Sequence, residues 1–104
     1  MPSLQQFKAE LFHALAHELR IRLLEELREG ELAVGELQER VRSTGPNVSR
    51  HLGVLRSQGI VTARRDGTSV LYSIADPRLN RLLDDARSIF EHQIAVGAAL
   101  LEDD

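Results

Sequence analysis

Apolar residues recur at helical spacing along most of the chain and change to alternation only once. Over residues 4–16 the stripe is Leu4, Phe7, Leu11, Phe12 and Leu15, one face of a helix. A second helix is predicted over 18–28, with Leu19, Ile21, Leu23, Leu24 and Leu27 inside and Gly30 as its stop. A third, over 34–41, buries Val34, Leu37 and Val41. Arg42-Ser43-Thr44 then reads as a turn, and Thr44 can cap a fourth helix that carries Gly45 and Pro46 in its first turn. This helix turns Val48, Leu52 and Leu55 inward and stops at Gly59. Residues 60–65 and 69–74 are β-branched or alternating runs around Asp66-Gly67, a hairpin signal. Asp76-Pro77 caps and opens a last long helix to about residue 101, with Leu79, Leu83, Ala86, Phe90 and Ile94 among its apolar positions.

Four helices, a hairpin and a helix give a mainly α chain with a small β-hairpin, the plan of a winged helix-turn-helix. Residues 1–104 are read as one domain: 33–59 as the helix-turn-helix, 60–75 as the wing, 1–17 and 76–101 as dimerisation helices. The first and last helices carry more apolar surface than so small a domain can hide, so Leu4, Phe7, Leu11, Leu83, Ala86, Phe90 and Ile94 are the expected homodimer contacts. A 104-residue globule buries only about two-thirds of its unfolded surface, which makes association a natural remedy.

Composition narrows the classes. With 42% hydrophobic residues and a net charge of -3, the chain is not a disordered one. Zero cysteine excludes disulfides, thiolate metal sites and thiol redox switching. No apolar run is long enough for a membrane span, and no signal peptide is recognised, so the expected setting is cytoplasmic, with no membrane partner. No activated nucleophile, acid pair or glycine-rich phosphate loop is present. Ser49 and His51, two apart on a helix, point about 200° apart and cannot form a dyad. The reading is not an enzyme, and no cofactor is called for.

Net charge and a pI near 5.8 argue, on average, against a nucleic-acid ligand. The distribution argues the other way. Residues 1–39 hold four cations against eight anions and residues 68–104 three against seven, so each carries -4. Between them, residues 40–67 hold six arginines against Asp66 alone, a net of +5. That basic block coincides with the end of the third helix, the turn, the fourth helix and the hairpin, the parts a helix-turn-helix presents to double-stranded DNA.

On the fourth helix, the face opposite Val48, Leu52 and Leu55 offers Asn47, Arg50, His51 and Val54, with Ser49 at its margin. Ser43 and Thr44 lie at its amino end, where free N–H groups favour phosphate; Thr44 is as well explained by capping, and the two roles coexist. Asn47 suits adenine, Ser49 and His51 suit base edges or phosphates, and Arg50 suits guanine or, preferably, phosphate. Arg64 and Arg65 point to opposite sides of their strand, so at most one faces DNA unless the turn twists both outward. The alternative for these two is a solubilised edge strand.

The residues now carry a resemblance. The run Leu11-Phe12-His13-Ala14-Leu15-Ala16-His17-Glu18-Leu19-Arg20-Ile21-Arg22-Leu23-Leu24 resembles the opening signature of the ArsR/SmtB family of bacterial repressors. So do residues 31–37, the run Asn47-Val48-Ser49-Arg50-His51-Leu52-Gly53-Val54-Leu55, and Gly59-Ile60-Val61 with Arg64-Arg65-Asp66-Gly67 and Tyr72. The resemblance implies a homodimeric winged-helix (auto)repressor joined through its first and last helices, bound to an inverted-repeat operator on the bacterial nucleoid and released by an effector. It also exposes departures. Where metal-sensing relatives carry two cysteines, this chain has Ala33 and Gly35. Of the family's second metal site only Asp76 and His92 are plausible ligands; the other aligned positions are Arg78 and Ile89, which cannot bind zinc. Asp76 is read as a helix cap and His92 as an interface or surface residue. His13 and His17, four apart near the end of the first helix, have chelating spacing but no third ligand. No residue names an effector. Two alternatives stand beside the repressor: a winged protein-interaction module that no longer reads DNA, and a metal-responsive repressor using a His/Asp site.

Overall fold

A computed structural model describes residues 2–102. Its first helix, α1 (Leu4–Leu15), opens on a reciprocal cap: Ser3 Oγ accepts from the Gln6 N–H, and the Ser3 N–H donates to Gln6 Oε1. α2 (Glu18–Leu27) begins at once, with His17 as its N-cap; the Nδ1 of His17 accepts from the Leu19 N–H at 3.1 Å. His17 therefore lies in the α1–α2 link, not on α1, so it shares no helical face with His13.

A strand absent from the periodicity comes next: β1 (Leu32–Ala33) leads directly into α3 (Val34–Val41). Then α4 (Gly45–Ser57) follows the turn, capped by Thr44 Oγ1 accepting from the Asn47 N–H. β2 (Val61–Asp66) and β3 (Ser69–Ile74) form the hairpin, with Gly67 at φ 63° in the two-residue loop, a conformation that glycine adopts without strain. β1 pairs with the other edge of β3, Leu32 opposite Tyr72 and Ala33 opposite Leu71. The expected hairpin is thus a three-stranded antiparallel sheet in the order β1-β3-β2. α5 (Arg78–Glu102) closes the chain.

The core sits where α2, α3 and α4 converge on the sheet. Leu23, Leu24, Leu37, Val48, Leu52, Leu55 and Val61 are almost wholly buried there. Leu79 and Leu83 add the first turns of α5 to the core, and Arg28, the C-cap of α2, pairs with Asp84 at 2.7 Å just beyond them. Leu83 is only 7% exposed within one protomer, which corrects the expectation that it faces a partner: its side chain is spent on the core. Leu11 is half-buried against the same core. Past Leu83 the rest of α5 lies outside the core, and Ile89, Phe90 and Ile94 are exposed. No described helix is long and apolar enough to cross a membrane.

Candidate nucleic-acid interface

The helix-turn-helix angle is set at the end of α3. Arg42 adopts the left-handed conformation (φ 55°), a region that costs most side chains roughly 1–2 kcal/mol. The reversed chain lets the Arg42 and Ser43 N–H groups both donate to the Gln38 carbonyl. From α2, Arg22 Nη2 donates to the Val41 carbonyl at 2.8 Å, satisfying another orphan acceptor of the helix end. The turn holds Ser43 and Thr44 over the amino end of α4 and leaves the Arg42 side chain exposed.

At that end three polar side chains form a chain of hydrogen bonds. Asn47 Nδ2 donates to Ser43 Oγ at 2.9 Å, and Arg50 Nη2 donates to Asn47 Oδ1 at 2.8 Å. Both ends of the Asn47 amide keep one valence for a base edge, since the nitrogen has a second proton and the oxygen a second lone pair. Ser49 and Arg50 are exposed.

His51 is elsewhere. It is 4% exposed and packs inward with Val48, Leu52 and Leu55, at spacings of three and four that share one helix face. Its ring meets that of His17 at 4.2 Å between centroids, and its Nδ1 accepts from Arg20 Nε at 3.1 Å. A side chain so enclosed cannot touch a base, which corrects its place among the expected DNA contacts. Burial, reinforced by the nearby His17, Arg20 and Arg50, pushes the His51 imidazole pKa below its ordinary value. Val54, also expected outside, is half-buried against the core.

In the wing, strand register puts Arg64 and Arg65 on opposite faces. Arg64 reaches across β3 to Glu31, with Nε donating to Oε2 at 2.9 Å and Nη2 to Oε1 at 2.5 Å. This two-pronged contact holds the Glu31 carboxyl below the usual carboxylate range. Arg65 shares the face of Val61 but lies near the hairpin tip, exposed, with no carboxylate partner among the described residues. Arg40 is likewise taken up, by Glu26 at 3.4 Å. Among the described residues, Arg42, Arg50, Arg56 and Arg65 are the cations of the basic segment without an ion-pair partner.

A helix-turn-helix domain family matches residues 15–64, from the end of α1 into the wing. An HTH-type transcriptional regulator of Mycobacterium tuberculosis, Rv0081, is 46% identical over 101 residues, covering 96% of this chain and 89% of that protein. Its crystal structure superposes with a TM-score of 0.84 over 94% of this chain and 99% of the other. A Mycobacterium bovis domain described as a homodimeric winged helix-turn-helix DNA-binding domain, of a possible ArsR-family regulator, is 31% identical with a TM-score of 0.80. That match covers 88% of this chain and 84% of the other. The chain belongs to the ArsR/SmtB family of winged helix-turn-helix transcriptional regulators. A biofilm growth-associated repressor of Agrobacterium fabrum is 36% identical over 93 residues, 86% of this chain and 80% of that one. As an ArsR/SmtB regulator the chain is a DNA-binding protein and not an enzyme.

Without cysteine, this ArsR/SmtB member has no thiolate metal site. Among the described residues no three His, Asp or Glu side chains gather into a metal-holding group. Asp76 is already engaged. Its Oδ1 caps α5 by accepting from the Arg78 N–H at 2.9 Å, and its Oδ2 pairs with the Arg78 guanidinium at 2.6 Å. Those contacts bring the Asp76 carboxyl down to about 2. His92, sixteen residues further on, is exposed on α5.

Proposed function

We propose that the chain is a homodimeric repressor whose two α4 helices enter successive major grooves of an inverted-repeat operator while the wings reach the flanking minor groove. The observation that carries this reading is where the unpaired cations lie. Arg42 and Arg50 flank the amino end of α4, Arg65 lies at the wing tip, and the Ser43–Asn47–Arg50 hydrogen bonds pre-set a base-reading amide between them. Asn47 and Ser49 read bases; Ser43, Thr44, Arg50 and Arg65 hold phosphates. Arg42 joins them, because a strained left-handed arginine that turns its charge outward is better explained by a ligand than by folding. Arg64 serves the wing through Glu31 rather than the DNA.

The dimer forms through α1 and α5. Leu4, Phe7, Phe90 and Ile94 are exposed and Ala86 lies on the same long helix, while an apolar groove of about 350 Å³ runs between the two helices along Phe7, Leu11, Leu79 and Leu82. A two-fold axis there sets the recognition helices about 34–36 Å apart, one helical turn of DNA. The protein works on the nucleoid in the bacterial cytoplasm, and its regulation runs through neither thiolate-bound metal nor Asp76, whose charge Arg78 has taken. Selection from a pool of random duplexes tests this reading. It predicts enrichment of a two-fold inverted repeat; a selected pool without symmetry, or no enrichment, refutes it.

A further inference from the structure

His51, Arg20 and His17 form a polar cluster that the DNA contacts do not use, with His51 buried, Arg20 half-buried and His17 exposed. Arg20 joins three elements at once. Its Nε donates to His51 Nδ1 on α4 at 3.1 Å, and its Nη1 donates to the Ala14 carbonyl at the end of α1 at 3.2 Å, while its own backbone belongs to α2. Because a guanidinium can only donate, the Nδ1 of His51 must be unprotonated, with the ring proton on Nε2. His17 is constrained in the same way: its Nδ1 accepts from the Leu19 N–H, and its ring lies 4.2 Å from that of His51. The groups facing His51 are all basic: His17 from the α1–α2 link, Arg20 from α2 and Arg50 from its own helix. None of the three clustered side chains is paired with a carboxylate among the described residues.

We propose that His17, Arg20 and His51 form a lock that seats the recognition helix against α2 only while the His51 imidazole is neutral, so that acidification unseats the helix and weakens DNA binding. A proton on His51 Nδ1 would face the Arg20 N–H donor to donor and set two cations against each other in a buried site. Asn47 and Arg50 lie four and one residues before His51, so movement there carries the reading residues with it. His51 is thus a positioning residue, acting through α4. Linkage fixes the direction. A base whose folded pKa lies below its unfolded value near 6.5 contributes stability that is complete above that value. The contribution is lost as pH falls through the folded pKa, by about tenfold in the equilibrium per pH unit between the two.

The DNA half of this inference rests on the function proposed above; the lock itself does not. The test follows the full chain by NMR from pH 8 to pH 5, reading the His51 ring resonance and the amide-exchange protection of α4, corrected for intrinsic exchange. In parallel, anisotropy is measured with a duplex of arbitrary sequence. His51 is expected to titrate below its ordinary value, with α4 protection and DNA affinity falling together as it does so. His51→Asn, whose amide oxygen replaces the Nδ1 acceptor, is expected to keep the neutral-pH protection and lose the acid response. His17→Asn, which keeps an N-cap on α2 but removes the basic ring facing His51, secures the test should the first variant misfold, and is expected to diminish the acid response. Ordinary titration of His51 with constant α4 protection, or an undiminished acid response in either folded variant, overturns the lock. Acid-dependent α4 protection without DNA binding at any pH confirms the lock and refutes the DNA reading instead.

Discussion

Replacing Arg65 by alanine separates a wing that touches DNA from one that merely keeps the sheet soluble. Arg65 lies exposed near the hairpin tip without a carboxylate partner among the described residues, whereas Arg64, next to it in sequence, is held by Glu31. Each phosphate neutralised by a protein cation contributes about 0.9 to the slope of log K against log salt. A dimer loses two such contacts in Arg65→Ala, so its slope should flatten by about 1.8. Across a fourfold rise in salt, from about 50 to 200 mM, that is roughly twelvefold less loss of affinity than the parent suffers. The control removes the neutral pair as a unit: Glu31→Gln with Arg64→Ala should leave the slope within about 0.5 of the parent. Fluorescence anisotropy with a duplex of about 30 base pairs, enough for both recognition helices, measures all three proteins. An unchanged slope in Arg65→Ala, or equal flattening in the double variant, would refute the assignment of the wing contact to Arg65.

Other substitutions probe the remaining parts. Phe90, 59% exposed on α5, is placed at the two-fold interface, and burying a side chain of this size is worth about 1.5–3 kcal/mol in each protomer. Phe90→Asp should therefore weaken dimerisation by at least about a hundredfold in sedimentation equilibrium; helical content should be retained, and a dimer of parental affinity contradicts the interface. Arg42→Gly trades left-handed strain for unfolded-state entropy, so stability should move by less than about 1 kcal/mol in urea unfolding. DNA affinity should nonetheless fall, and a variant that binds as tightly as the parent removes Arg42 from the interface. The depressed Asp76 carboxyl means its contribution is complete above its ordinary value of 3.8 and is lost as pH falls through about 2. The Arg78 amide should stay protected at pH 4 and lose protection only below about pH 3, a dependence that Asp76→Asn abolishes.

The helical part of the fold is legible in the sequence because its apolar stripes are punctuated: Gly30 stops α2, and Thr44 and Gly59 bound α4. β1 is not. Leu32–Ala33 is two residues long, has no period of its own and becomes a strand only because β3 offers it an edge. The error over His51 has a local cause. Its spacing from Val48 and Leu55 already places it inward, and only its polar side chain suggests the surface; the partners that make burial tolerable, Arg20 and His17, come from another helix and its cap. Leu83 shows the opposite ambiguity. An apolar stripe on α5 serves both the core and an outer face, and periodicity cannot say where one ends. The role of Arg64 depends on Glu31, thirty-three residues away, and the strain at Arg42 on a turn type usually marked by glycine or asparagine; neither leaves a local signal. The basic segment itself was visible from charge alone. Structure divides it into arginines tied to carboxylates and arginines without an ion-pair partner among the described residues.

The central claim is that this divided segment is the DNA-reading surface, and residue-by-residue NMR shift mapping on titrating duplex DNA into the dimer tests it most directly. Perturbations are expected to concentrate at Arg42, Ser43, Thr44, Asn47, Ser49 and Arg50 and at the wing tip around Arg65, and to be reversed by salt. Perturbations confined to the exposed length of α5, or none at low salt, would contradict it.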